Sequence, residues 1–259
     1  VWAGDAFGDT GREGKRGWRM AFLNMRRWKA DPRHSVEADE MLQVFAAKGV
    51  DVLGLMDHGL RVDEMAVKSP DRSRLAASGR AADQATRAWG QEGMAWAVAQ
   101  GIEGGRGAKD AKLPEGGTLM ATHGSRRHLV ERVLKDPKGW GRWTATCFEG
   151  QKNSKDGLVV VTVYAPVQGG PGSTWQRQVE SQRSSKEQGE PHREGDPRDW
   201  LYEDLFQQLR PLWAHKSKAY DFVVAGDFNE KWRSGDRAQA KWELRGFVEM
   251  LGMVNAMEV

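Results

Sequence analysis

A single cysteine, Cys147, in a chain of 259 residues excludes a disulfide framework and any zinc site built on thiolates. One thiol suits a reducing compartment, and we expect an intracellular protein, nuclear or cytoplasmic. No run of about 18 apolar residues occurs, so no membrane span is expected. The longest apolar stretches, 158–165 and 222–225, have only strand length. Internal repeats are absent, which excludes solenoids and propellers. His34, His123, His128, His192 and His215 show no metal-ligand spacing on one helix. The Gly-Gly-Arg-Gly stretch at 104–107 lacks a strand-to-helix setting and reads as a flexible loop, not a phosphate cradle. The chain opens at Val1 without methionine or a signal pattern, from which we expect processing or a partial reading frame.

What is present describes a globular chain. With 39% hydrophobic and 29% charged residues and a mean hydropathy of -0.68, it can bury a core of useful size. The length suits one α/β domain. Net charge is only +3, yet residues 11–33 carry eight basic side chains (Arg12, Lys15, Arg16, Arg19, Arg26, Arg27, Lys29, Arg33) against Glu13 and Asp31. A segment this basic suits a nucleic-acid backbone, with Arg26 and Arg27 as candidate contacts; the plain alternative is a solvated basic edge. Twelve tryptophans are many for this length. Aromatic rings beside arginine can stack on bases, although most of these rings belong to a core.

Periodicity yields strands at 19–25, 50–56, 94–99, 118–122, 143–148, 158–165 and 222–225, separated by helical and polar stretches. Helices are expected at 35–48, capped by Ser35 and stopped by Gly49; in part of 61–90; from a cap at Asp199 to a break at Pro211; and at 237–251. Residues 101–117 read as a Gly-rich loop. Residues 168–198, with only Trp175 and Val179 as sizeable apolar side chains, read as a mobile polar loop insertion outside the core. Four strands end in groups that a core does not require: Asn24, Asp57 with His58, Tyr164, and Asp227 with Asn229. Each alone could be a turn residue or a half-buried aromatic. Together they mark strand ends of the kind that converge on a site in α/β folds, and we expect them in one pocket. His58 reads as a surface or supporting histidine.

The segments Phe22-Leu23-Asn24-Met25, Asp51-Val52-Leu53-Gly54-Leu55-Met56-Asp57, Val163-Tyr164-Ala165-Pro166 and Gly226-Asp227-Phe228-Asn229 come in an order that resembles the endonuclease/exonuclease/phosphatase superfamily. GDFN after an apolar strand is the most specific element, and YAP after a valine-rich strand the next. Gly116-Gly117-Thr118-Leu119-Met120 and Leu251-Gly252-Met253-Val254-Asn255-Ala256 resemble further parts of the pattern, so the likeness runs from about Trp18 to Ala256. It implies an α/β four-layer sandwich, two mixed β-sheets face to face with helices outside, over 18–259, with residues 1–17 as a separate N-terminal segment. It also implies phosphoester cleavage with Mg²⁺ or Mn²⁺.

By resemblance, Asp57 and Asn24 are the metal-side residues, Asp227 orients or deprotonates water, and Asn229 and Tyr164 hold phosphate oxygens. The pattern has departures. Asp57 stands where glutamate is usual, roughly 1.5 Å shorter in reach. Val167 replaces an asparagine that many nucleases carry. The chain stops at Val259, ahead of a late strand and loop that supply a serine, an aspartate and a histidine, so we expect a C-terminally incomplete domain that needs a missing segment or a partner chain. The basic segment and the Trp and Arg content favour an endonuclease on nucleic acid, DNA before RNA, similar to the nuclease domains of non-LTR retroelements. A phosphatase or lipid phosphodiesterase of the same superfamily is the enzymatic alternative. A catalytically incomplete binding or interaction module is the other.

Overall fold

The valine-rich run of β7 (Asp156–Tyr164) explains the architecture, because both of its faces are covered. Val159, Val161 and Val163 belong to one core and Val160 to another, as alternation along a strand requires when packing lies on both sides. The computed structural model describes residues 17–25, 44–45, 47–58, 95–99, 116–122, 124–150, 156–170, 173–187, 193–214, 218–230 and 244–254. Eight strands in these residues make two mixed four-stranded sheets. The first has the order β1-β2-β4-β3, from β1 (Met20–Asn24), β2 (Val52–Met56), β3 (Ala95–Ala99) and β4 (Thr118–Thr122). The second has the order β5-β6-β7-β8, from β5 (Val130–Lys135), β6 (Trp143–Phe148), β7 and β8 (Ala219–Asp227).

Each sheet holds one parallel pair, β1 with β2 and β7 with β8; the other pairings are antiparallel. The sheets lie face to face, with β1 over β8, β2 over β7 and β3 over β5. Val52, Met120, Phe148 and Val160 fill the space between them, flanked by Trp18, Met20, Phe22 and Leu158. Towards one end this layer becomes polar, where Thr118, Thr144 and Thr162 bury their hydroxyls. At the same end Gly54 is required for close approach. A Cβ there would stand 2.3 Å from Thr162 Oγ1 and 2.5 Å from the Phe22 ring.

Helices α1 (Thr174–Glu187) and α2 (Pro197–Trp213) lie between β7 and β8, and α3 (Leu244–Met250) follows β8. Leu201, Leu205, Leu209 and Leu212 recur at helical spacing on α2 and bury against Trp143, Ala145, Cys147, Val159, Val161 and Val163, so α2 covers the outer face of the second sheet. Phe247 of α3 joins them, its ring 5.6 Å from that of Tyr202. The two mixed sheets and flanking helices are the α/β sandwich the sequence led us to expect. The helix expected at 35–48 lies mostly outside the described residues, as do the helical reading of 61–90 and most of the loop reading of 101–117.

Several local expectations are corrected. Residues 168–198 are not all loop, since α1 occupies 14 of them. Its buried positions Thr174, Gln178 and Gln182 fall at i, i+4 and i+8, so a helical face is present but is polar and left no apolar period to read. Strand β5 was not anticipated. It is an edge strand with a bulge between Val130 and Arg132 and exposed side chains, which breaks the alternation a sequence shows. The cap of α2 is Asp196, whose side chain accepts from the Arg198 N–H with Pro197 in the first turn, not Asp199. The helix also continues through Pro211. The donor missing there would serve the carbonyl of Gln207, on an exposed side where solvent can replace it.

Gly226 is the tightest point of the second sheet. Its φ is 150°, and a Cβ would lie 2.0 Å from the Val163 carbonyl oxygen of the neighbouring strand. Gly226→Ala is expected to lose about 3 kcal/mol or more in urea unfolding, whereas Gly170→Ala, with nothing within 4 Å of the added methyl, should stay within about 0.5 kcal/mol of the parent.

Candidate active site

The two parallel pairs stack on each other and end together. Asn24 pairs in register with Met56, and Tyr164 with Asp227, so the C-terminal ends of β1, β2, β7 and β8 meet at one edge of the sandwich. The antiparallel β4 starts at the same edge, Thr118 pairing with Met56, which brings Gly116 and Gly117 there. Backbone bonds tie the exits: the Met25 N–H donates to the Met56 carbonyl at 2.8 Å, and the Ala165 N–H to the Asp227 carbonyl at 2.8 Å.

The side chains at these exits are joined across the two sheets. Asn24 Nδ2 donates to Asp227 Oδ2 at 2.7 Å, a link between residues of opposed sheets. Asp227 Oδ1 accepts from the Asn229 N–H at 3.1 Å, so each carboxylate oxygen has a donor and the plane of the group is set. Asn229 Nδ2 donates to the Ala165 carbonyl at 2.8 Å, next to Tyr164. The Tyr164 ring lies against Gly116, where a Cβ would come within 3.2 Å of it, and the Gly116 N–H donates to Asp57 Oδ1 at 3.0 Å. Tyr164 is nearly buried, at 8% exposure.

Two of these residues are strained. Asp57 (φ 51°) and Asn229 (φ 48°) are the non-glycine residues with positive φ among those described. Aspartate and asparagine tolerate this region best, and a cost of about 1–3 kcal/mol at each is kept only where surroundings over-determine the backbone. Both are candidate site residues at strand exits.

A buried charge network supports one side of the site. Arg142, 1% exposed, donates from Nε and Nη2 to Asp136 at 2.7 and 2.8 Å and from Nη2 to Asp204 Oδ2 at 2.6 Å. Asp204 also pairs with Arg193 at 2.7 Å, and the Arg142 guanidinium stacks 4.7 Å from the Trp140 ring centroid. Burial alone would push the Asp136 carboxyl up, but the charge and hydrogen bonds of Arg142 outweigh it and hold it below the usual carboxylate range. The network touches the site through the backbone, because the Tyr164 N–H donates to the Arg142 carbonyl at 2.7 Å. Tyr202 of α2 reaches the other side, its hydroxyl donating to Glu230 Oε2 at 3.0 Å. Burial, with the nearby Glu230 charge, pushes the Tyr202 hydroxyl well above its ordinary range.

The structure thus places Asn24, Asp227 and Asn229 in one hydrogen-bonded group, with Asp57 and Tyr164 meeting at Gly116. Arg26 and Arg27 lie outside the described residues. His58 is fully buried, so it is not a surface histidine. Among the described residues, no three His, Cys, Asp or Glu side chains cluster as a ready metal cage. The oxygens that could hold a metal, the Asp57 carboxylate and the amide oxygen of Asn24, are hard donors of the kind that Mg²⁺, with one or two carboxylates and water, accepts. Sequence reading missed Asp136, Arg142, Asp204 and Arg198. For the first three the one visible signal is an arginine directly before the buried strand at 143–148, which needs buried partners; Arg198 left none.

No protein-family model and no curated protein matches the chain. Among solved structures it is similar to the AP endonuclease LMAP from Leishmania major, at 15% identity over 81% of this chain and 54% of that one, with a TM-score of 0.46. It is also similar to an endonuclease/exonuclease/phosphatase family protein from Leptotrichia buccalis (10% identity, 82% and 67% of the two chains, TM-score 0.46) and to the human Nocturnin catalytic domain (15%, 75% and 58%, TM-score 0.37). The chain therefore spans a little over half the length of the first and the third. Overlaps of this degree carry no information about substrate or reaction.

The network carries a pH prediction. A carboxyl whose folded pKa is depressed adds stability that is present above its unfolded pKa and lost as pH falls through the folded one. Stability should therefore hold above about pH 5 and decline below about pH 4. Asp136→Asn should cost about 3 kcal/mol near neutral pH, because it leaves Arg142 buried with one charge partner fewer, and should flatten the acid limb. Urea unfolding across pH measures both.

Proposed function

We propose that the chain is a divalent-metal-dependent phosphodiesterase that cuts nucleic acid internally, DNA in preference to RNA. The observation that supports this most is the bonded group Asn24–Asp227–Asn229 at the joined ends of two sheets, with Asp57 and Tyr164 alongside through Gly116. An anionic phosphodiester repels a nucleophile, so hydrolysis needs charge neutralisation, an oriented water and donors for the oxygens that gain charge. Asp57 and the amide oxygen of Asn24 would hold a Mg²⁺ or Mn²⁺ ion. That ion would supply charge neutralisation at the phosphate.

Asp227 takes the base's part. Its carboxylate is fixed by donors on both oxygens, which leaves its remaining lone pairs aimed for a water instead of free to rotate. Asn229 and Tyr164 bring an amide and a hydroxyl to the same edge, where they would hold non-bridging phosphate oxygens as charge builds. The basic stretch at 11–33, with Arg26 and Arg27, supplies attraction for the polyanion.

Plasmid nicking in Mg²⁺ or Mn²⁺ is the test. Asp227→Asn should lower the cleavage rate about 10²–10⁴-fold while plasmid affinity stays within about threefold, since it removes a water-orienting group and not a phosphate clamp. Charge reversal at Arg26 and Arg27 should weaken binding and reduce its salt dependence. Salt-sensitive retention without cleavage would instead make this a binding module. Turnover confined to phosphomonoesters or lipid headgroups would make it a phosphatase or a lipid phosphodiesterase. Cleavage indifferent to Asp227→Asn would refute the assignment.

A further inference from the structure

We infer that Arg198 is a positioning residue that holds Asn229, and through it Asp227, in working geometry; the inference rests on the reading of the site given above. Arg198 belongs to the polar stretch 168–198, for which the proposed chemistry has no other use. Its guanidinium engages Asp196, Trp175 and Asn229, with Glu230 and Tyr202 also close enough to act on its charge. Nε and Nη2 fork onto Asp196 at 3.3 and 2.9 Å, the flat face lies 5.1 Å from the Trp175 ring centroid on α1, and Nη1 donates to the Asn229 carbonyl at 3.4 Å. Asp196 also caps α2 through the Arg198 N–H at 2.8 Å, so the fork is anchored to the helix end. A planar group with five donors in fixed directions can satisfy a carboxylate and a carbonyl at once while stacking on a ring; a lysine ammonium cannot.

The consequence lies at Asn229. Its positive φ costs free energy and survives only if several contacts insist on it. Its N–H is held by Asp227 Oδ1, its Nδ2 by the Ala165 carbonyl and its carbonyl by Arg198. Without the last tether the peptide can relax towards an ordinary φ. That rotation swings the Asn229 N–H away from Asp227 Oδ1, so the carboxylate loses one of the two donors that orient it. Arg198 is itself poorly placed to touch substrate, since its fork and its face are engaged and its side chain is only 24% exposed. Trp175, one of two sizeable apolar residues in the polar stretch, thereby acquires a purpose as the platform that holds the guanidinium flat.

The test combines amide hydrogen exchange with plasmid cleavage in Mg²⁺, on the full chain. Arg198→Ala should speed exchange at Asn229 and Glu230 by about tenfold or more. It should lower kcat by about 10- to 100-fold with KM within about threefold, as a misplaced catalytic group does. Arg198→Lys should not restore kcat although it keeps the charge, and Trp175→Ala should shift exchange in the same direction by less. Unchanged exchange at 229–230 in Arg198→Ala would overturn the inference. So would a raised KM at constant kcat, which would make Arg198 a phosphate contact, or full rescue by lysine. Faster exchange in a chain that cleaves nothing even as wild type would leave the tether standing and remove the proposed function instead.

Discussion

Everything at the candidate site depends on the close stacking of two parallel strand pairs. β1 and β2 run together in one sheet and β7 and β8 in the other, and the pairs face each other closely enough that Gly54 can carry no side chain opposite Thr162. Parallel strands end on the same side, so stacking two such pairs in one direction delivers four strand ends to one edge. Backbone groups there lose their ladder partners and must be satisfied by turns and side chains. The Asn24–Asp227 bond spans the sheets at that edge. Widening the gap by one methyl group at position 54 would separate the very groups that hydrolysis would need together.

Helix α2 connects the core to the loops. Its apolar face covers the second sheet, while its polar groups reach in three directions: Asp204 to Arg142, Tyr202 to Glu230 and Arg198 to Asn229. A buried ion pair adds little net stability, because two desolvation penalties offset the attraction, but removing one partner is costly. The Asp136–Arg142–Asp204 group is therefore better understood as a device that fixes where the helix sits than as a source of stability. Because the Arg142 carbonyl also receives the Tyr164 N–H, fixing the helix fixes the exits of both β7 and β8. The strain at Asp57 and Asn229 falls at exits tied in this way, where tethers can sustain a backbone that would otherwise relax.

Local chemistry made much of this legible beforehand. β-branched and apolar runs announced seven of the eight strands among the described residues, the Leu201–Leu205–Leu209–Leu212 spacing announced α2, and the motifs around Asn24, Asp57, Tyr164 and Asp227 marked strand ends as places of interest. A period is visible only where its buried face is apolar. Helix α1 turns Thr174, Gln178 and Gln182 inward, and β5 is an exposed, bulged edge, so neither left a pattern to find.

The sequence by itself determined which residues alternate, which recur every fourth place and which polar groups stand where strands stop, since these follow from neighbours along the chain. Only the tertiary structure decided who meets whom. Asn24 and Asp227 are 203 positions apart, and nothing local in either segment says that the amide of one will donate to the carboxylate of the other. The same holds for Arg142, whose need for buried partners is readable but whose choice of Asp136 and Asp204 depends on how a turn and a helix pack. Hydrogen bonds reach about 3 Å and demand direction, so partners are selected by the packing of sheets and helices, which no short window of sequence contains.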